Sequence, residues 1–246
     1  MEGYTLETYG ERIAEVYDQY YPEYDQAAIQ VLAELANGGK ALELGIGTGR
    51  IAFPLMQTGT SIQGIDISPA MVAKLRAKPG GESIKVTMGD FSSVNVGGKF
   101  NLIYVVFNTF FSLLTQEEQV RCFQNVASHL EPAGVFVIEA FVPDLTRFTG
   151  GQAIRGTHVT ENEARLDITM VEYDKQVLTS QHVIFTGEGI RFYPVKIRYV
   201  WPAEMDLMAR LGHLQLIKRW SDWKKNPFTS GSRMHVSVYG HQENPE

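Results

Sequence analysis

Three glycines within five positions, Gly45, Gly47 and Gly49, follow the apolar run Ala41-Leu42-Glu43-Leu44 and lead into helix-compatible residues from Arg50 onward. Glycine lets the chain turn tightly and lets a ligand approach the backbone, and the first N–H groups of a following helix are free to bind it. The spacing is G-x-G-x-G; a dinucleotide fingerprint requires Gly or Ala where Arg50 stands. Asp66 lies 21 residues beyond Gly45 at the end of a second apolar run. A carboxylate there can accept hydrogen bonds from both hydroxyls of a ribose. Gly89-Asp90-Phe91 closes a third run. Asp90 can accept from an exocyclic adenine amine while Phe91, Ile67 and Met71 enclose the ring, although Gly-Asp is also ordinary turn chemistry. These positions suit a nucleoside-bearing ligand.

A base working near neutral pH would be a histidine, of which there are six. His129 abuts the end of a predicted helix before Pro132, where a cationic ring suits the helix dipole, so its role reads as structural. His182 falls mid-strand in a later segment, and strand alternation leaves open whether it faces a pocket. His158, His213, His235 and His241 have no partner at ligand spacing, and Cys122 is the sole cysteine. No metal site and no internal disulfide is expected.

These side chains need a scaffold. Residues 41–44, 61–67, 84–88, 102–107 and 135–141 are short apolar or β-branched runs, most without polar alternation, as expected of strands covered on both faces. Between them, Ser68-Pro69 supplies an N-cap and first-turn proline, and Thr115 with Glu118 forms capping-box spacing. The repeated β-α-β order predicts an α/β, doubly wound, parallel sheet with ligands at the carboxyl ends of its strands. One domain with four segments is expected. Residues 1–38 form a helical cap, with Tyr9, Ile13, Val16, Tyr17 and Tyr20 at helical spacing until Pro22 breaks it. Residues 39–142 form the core. Residues 143–200 form an inserted antiparallel meander, with strands near 165–173, 177–185 and 190–200. Residues 201–246 hold a helix from Pro202 to Gly212 and two closing strands at 213–220 and 234–239.

Composition narrows the partners. The longest apolar run, 102–107, is far short of the ~18–20 residues a bilayer span needs, so no membrane helix is expected. Residues 1–13 lack an apolar signal core, so a cytoplasmic location is expected. With 22 Lys+Arg against 28 Asp+Glu the net charge is −6, which argues against a nucleic-acid partner and favours a neutral or cationic small molecule. The oligomeric state is left open, a homodimer included.

Five stretches, Glu43 to Gly49, Gly64-Ile65-Asp66-Ile67-Ser68, Gly89-Asp90-Phe91, Phe100 to Phe107 and Leu130 to Gly134, resemble in order and spacing the motifs of class I S-adenosylmethionine-dependent methyltransferases. The resemblance implies a Rossmann-like, mostly parallel seven-stranded sheet. It also implies S-adenosyl-L-methionine as cofactor and S-adenosyl-L-homocysteine as product. It places the methionyl part at Glu43 and the Gly45, Gly47 and Gly49 loop, the ribose at Asp66, the adenine at Asp90 and Phe91, and the wall beside the sulfonium at Val106 and Phe107. The cap sequence Val16-Tyr17-Asp18-Gln19-Tyr20-Tyr21 resembles that of aminosugar N-methyltransferases and glycine N-methyltransferase. Such a cap closes a tyrosine over the methionyl carboxylate or the acceptor, here Tyr21 with Tyr17 second; Tyr21 is therefore the candidate catalytic residue. Members that methylate nucleic-acid bases carry a Pro-Pro-aromatic motif where this chain has Phe107-Asn108-Thr109-Phe110. The expected reaction is in-line displacement at the sulfonium methyl by a small-molecule N, O or C nucleophile, driven mostly by alignment. The acceptor wall is expected from Asn108, Phe110 and Phe111 with Phe192 and Tyr193 of the insertion. A nicotinamide-dependent reductase, opposed by the glycine spacing, and a non-catalytic nucleoside-binding module are the alternatives.

Overall fold

The computed structural model describes residues 3–242; Met1, Glu2 and residues 243–246, assigned from sequence to the cap and the closing segment, lie outside the described residues. The tyrosine-rich cap forms two short helices, α1 (Thr8–Ile13) and α2 (Tyr17–Tyr20), where the spacing suggested one. Neither has a side-chain N-cap, and the chain bends where the Val16 N–H returns to the Ile13 carbonyl at 2.9 Å. Tyr and Val are weak helix formers, so packing governs this segment more than propensity does. After Pro22, helix α3 (Gln26–Ala36) starts on Asp25, whose carboxylate accepts from the Ala27 N–H at 2.8 Å.

The core follows the alternation read from the sequence: β1 (Lys40–Leu44), α4 (Ala52–Met56), β2 (Ser61–Asp66), α5 (Pro69–Arg76), β3 (Lys85–Met88), β4 (Phe100–Val105), α6 (Gln116–His129) and β5 (Leu130–Phe141). Ser68 accepts from the Met71 N–H at 3.2 Å, and Thr115 and Glu118 close a complete capping box. The antiparallel sheet comes next, as β6 (Gln152–Val159), β7 (Glu163–Glu172), β8 (Val177–Thr186) and β9 (Gly189–Arg198). Helix α7 (Pro202–Leu211), β10 (Leu214–Trp220) and β11 (Met234–His241) complete the fold. The seven-stranded order is β10-β11-β5-β4-β1-β2-β3, with β11 alone antiparallel to its neighbours. Apolar clusters cover both faces, with Ile103, Phe123 and Phe136 on one and Leu32, Leu55 and Tyr104 on the other, which is why the central strands read as unbroken apolar runs.

The inserted sheet has four strands in the order β6-β7-β8-β9, one more than the sequence suggested. The extra strand, β6, is an edge strand that is exposed along almost its whole length and carries Gly156, so it shows no buried alternation. Register aligns Arg155, Asp167, His182 and Tyr193 in one row across the four strands, and Ala153, Thr169, Ser180 and Val195 in the next. This sheet docks on the cap. Tyr193 meets the Tyr20 ring edge-on at 6.1 Å, the Arg165 guanidinium lies 4.1 Å from the Tyr20 ring centre, and Ile13 packs with Ile184 and Tyr193.

Candidate active site

A cavity of about 940 Å³ opens at the carboxyl ends of β1, β2 and β4 and extends beneath the inserted sheet, which forms its lid. At its inner end the chain turns through Gly45 and Gly47 with φ of 73° and 55°. A Cβ at Gly45 would lie 2.6 Å from the Thr109 methyl, so the turn accepts glycine for both conformation and space. Gly49 sits behind the turn against the Phe53 ring and does not line the cavity.

Two carboxylates stand there. Asp66 is buried and accepts from the Gly47 N–H at 2.6 Å and the Ser68 N–H at 2.9 Å; loss of solvation raises its pKa against the pull of those N–H groups. Glu43 is enclosed and receives the Tyr104 hydroxyl at 2.9 Å; burial pushes its carboxyl up to about 8, with Tyr104 and Arg50 working the other way. Arg50, which the sequence marked only as a break in dinucleotide spacing, belongs to this group. Its Nη1 donates to the Glu23 carbonyl at 2.6 Å and its guanidinium lies 4.4 Å from the Phe107 ring centre. Its Nε is buried without a hydrogen-bond partner among the described residues. The sequence signal was there, a cation directly after a glycine turn.

Beyond β4 the backbone is strained. Phe107 and Asn108 adopt φ of 58° and 64° in succession, a conformation that costs a bulky residue about 1–3 kcal/mol. The Phe107 N–H donates to one Glu139 oxygen at 2.9 Å, the Trp223 indole N–H donates to the other at 2.8 Å, and the Phe141 N–H donates to Asn108 Oδ1 at 2.8 Å. The outcome is a Phe107 ring that is 41% exposed at the cavity wall, met edge-on by Tyr21 at 5.2 Å; Tyr21 in turn lies 5.0 Å from Tyr17. Burial pushes the Tyr17 phenol up to about 12 and raises Tyr9 well above its ordinary value, so both stay protonated.

Tyr17, Tyr21, Glu43, Gly45, Gly47, Asp66, Ile67, Met71, Phe91, Val106, Phe107 and Asn108 all line the cavity. Asp90 does not; its carboxylate accepts from the Ser92 N–H and hydroxyl, each at 2.8 Å, and closes its own turn. The acceptor wall expected from sequence needs correction. Phe110 and Phe111 sit in a 3-10 turn (Thr109–Ser112) that drives both rings into the core, edge-on to Phe123 at 5.5 Å and Phe141 at 5.0 Å. Phe192 is 53% exposed, turned away from the cavity by strand alternation. Tyr193 has the inward parity, but the cap covers it. The lid instead presents Arg155, Asp167, Thr169, Ser180, His182 and Lys196 among apolar neighbours such as Leu178, Val195 and Ile197, so its lining is mixed and carries no Phe, Tyr or Trp ring. Arg147 and Arg233 also line it, and the chain's net charge therefore does not describe the charge of the site. His129 is buried, with Nδ1 2.7 Å from the Asn125 carbonyl, and takes no part.

A methyltransferase-domain family profile matches residues 41–134. The CcbJ methyltransferase from Streptomyces caelestis superimposes with a TM-score of 0.89 at 33% identity, over 98% of this chain and 100% of that one. This chain belongs to the class I S-adenosylmethionine-dependent methyltransferases. Among curated relatives, the cypemycin N-terminal methyltransferase of a Streptomyces species is 25% identical over 207 residues, 84% of either chain. A dTDP-4-amino-2,3,4,6-tetradeoxy-D-glucose N,N-dimethyltransferase from Saccharopolyspora spinosa is 26% identical over 200 residues, 76% of this chain and 78% of that one. The methyltransferase uses S-adenosylmethionine as its donor, and its cavity suits that molecule. The unpaired buried Arg50 Nε offers a donor to a carboxylate, and a Cβ at Gly45 or Gly47 would press on Thr109 or Met71, both on the cavity wall, so the turn leaves room only while it is glycine. Among the described residues no helix is long and apolar enough to cross a bilayer.

Proposed function

We propose that this methyltransferase acts on the amine of a small, polar molecule. The observation that carries the reading is the set of polar side chains the lid brings to the cavity, Asp167, Thr169, Ser180 and His182, in a lining that also holds Tyr17, Tyr21 and Phe107. Asp167 is paired with His182 and Thr169 with Ser180, yet each pair keeps hydrogen-bonding capacity beyond that bond, which a hydroxylated amine can use and a flat apolar ring cannot. Relatives named as an amino-sugar N,N-dimethyltransferase and as an N-terminal methyltransferase support nitrogen as the accepting atom. On this reading the enzyme works in the cytoplasm and not on nucleic acid.

The donor is held residue by residue. Arg50 and the Gly45–Gly47 turn take the methionyl carboxylate, Asp66 the ribose, and Ile67, Met71 and Phe91 the adenine, with Asp90 shaping the turn beneath it. Val106 and Phe107 flank the sulfonium, and Tyr21 closes over the reacting centre. S-adenosylmethionine supplies an activated methyl, so the chain's task is to align nucleophile, methyl and sulfur while excluding water. Transfer of labelled methyl to D-glucosamine, a short peptide with a free N-terminus, and catechol tests the assignment. Labelling of either amine supports it, and labelling of catechol alone overturns it.

A further inference from the structure

We infer that His182, oriented by Asp167, is the base that takes the proton from the incoming acceptor; this rests on the amine reading above. The two residues face each other in register on β8 and β7, and His182 Nδ1 is hydrogen-bonded to an Asp167 carboxylate oxygen. Both side chains line the cavity, with 30% and 31% of their surface accessible. An acceptor carboxylate on Nδ1 selects the tautomer with the proton on that nitrogen, which leaves a lone pair on Nε2. Among the described residues, Nε2 makes no hydrogen bond to the protein. The pair is thus built on one side and open on the other.

A cross-strand His-Asp pair on an outer surface would be ordinary solvated pairing. Here the pair belongs to the roof of the site. The next row of the sheet is self-sufficient, because Thr169 and Ser180 hydrogen-bond to each other at 2.9 Å. The surrounding charges are otherwise engaged or lack a bond to the pair. Arg165, also on β7, is paired with Glu163 and stacked on Tyr20; Arg155 opposes Asp167 from β6 without an ion pair; Tyr193 on β9 is covered by the cap. The other acidic groups of the cavity are committed elsewhere: the Tyr9 and Tyr17 phenols stay protonated, Glu43 is bonded to Tyr104, Asp66 accepts from the Gly47 and Ser68 N–H groups, and Asp144 accepts from the Thr146 N–H and hydroxyl.

The chemistry needs such a group. An alkylamine at neutral pH is mostly the ammonium ion, which has no lone pair with which to attack. Transfer of one N–H proton to His182 Nε2 leaves a neutral amine and an imidazolium paired with the Asp167 carboxylate. The amine lone pair then forms the N–CH₃ bond as the S–CH₃ pair withdraws onto sulfur. The positive charge of the sulfonium ends on the methylated nitrogen. The imidazolium returns its proton to water at the mouth of the cavity.

Two measurements test this. Nitrogen NMR of histidine-labelled enzyme saturated with S-adenosylhomocysteine, with His182→Gln for assignment, should show Nδ1 protonated and Nε2 bare, and Asp167→Asn should abolish that preference. The opposite tautomer overturns the inference whatever the acceptor proves to be. With D-glucosamine and the free-N-terminal peptide as probes, His182→Gln should lower kcat/KM about 5- to 10-fold at pH 7, where roughly a tenth to a fifth of such an amine is already deprotonated. The deficit should close as pH rises and the amine arrives already deprotonated, while S-adenosylhomocysteine affinity stays at the parent value. An equal deficit at every pH marks a packing role and overturns the inference. If only catechol is labelled, the amine reading fails, while the tautomer result still judges the His182–Asp167 pair.

Discussion

The Tyr104 hydroxyl donates to the Glu43 carboxyl group at 2.9 Å, joining adjacent strands β4 and β1 at directly opposed, buried positions. Burial keeps Glu43 protonated in the free enzyme up to about pH 8. The donor brings a sulfonium and an ammonium, both of which favour the carboxylate form. Donor binding is therefore expected to release a proton and to tighten between pH 6 and 9. Calorimetry in buffers of different ionisation enthalpy reads the proton directly, and identical heats across buffers would remove this role.

The same shift bears on stability. The folded pKa of about 8 lies above the ordinary carboxyl value of 4.5, so the folded state binds more protons between those limits. Its contribution is complete below about pH 4.5 and is lost as pH rises toward 8. Urea melts of the free enzyme should show stability falling across that window, with a shallower fall in Glu43→Gln.

Arg50→Gln is expected to weaken S-adenosylhomocysteine binding about 10- to 100-fold with little change in melting temperature, since a charge-assisted hydrogen bond contributes about 1.5–3 kcal/mol. Asp66 is different because it also holds the Gly47 and Ser68 N–H groups. Asp66→Asn should lower both affinity and melting temperature. Calorimetry paired with thermal melts separates the two patterns.

Glu139 satisfies two donors at once, the Phe107 N–H and the Trp223 indole. Glutamine can accept at only one of its two terminal atoms, so Glu139→Gln leaves one N–H unpaired. A loss of about 1–3 kcal/mol in urea unfolding is expected, together with weaker donor binding as the Phe107 turn relaxes. Wild-type behaviour on both counts would show that the strained turn holds itself.

Tyr21→Phe keeps the edge contact with Phe107 and deletes only the hydroxyl. A fall in kcat/KM of about 10-fold, some 1.4 kcal/mol of transition-state stabilisation, is expected if that hydroxyl meets the reacting groups. Parent-like turnover would leave Tyr21 as packing.

The parallel core was legible because strands buried on both faces are mostly apolar without alternation, and helices capped by Ser68 and Thr115 announce where they start. The turn at Gly45 and Gly47 was legible for a similar reason, since few other residues fit there. Strand β6 was not, because an exposed edge strand has no burial to pattern. Phe110 and Phe111 were misplaced since their nearness in sequence to the β4 turn says nothing about direction, and a 3-10 turn reverses it. Arg50 and His182 carried only half a signal each, a cation after glycines and a histidine on a strand. Their partners Phe107 and Asp167 lie 57 and 15 residues away and meet them only through the fold.

The lid shares no hydrogen-bonded strand with the seven-stranded sheet; it leaves the chain after β5 and rejoins it before α7. Heredity can therefore treat the two halves of the cavity separately. Mutations in β6 to β9 can reshape the polar roof while the donor cradle is inherited intact, so one ancestral scaffold can be passed among many acceptors. The lid does not travel alone, however. Because Tyr193 and Arg165 both rest on Tyr20, a transplanted roof brings its function only with the tyrosine face of the cap it evolved against.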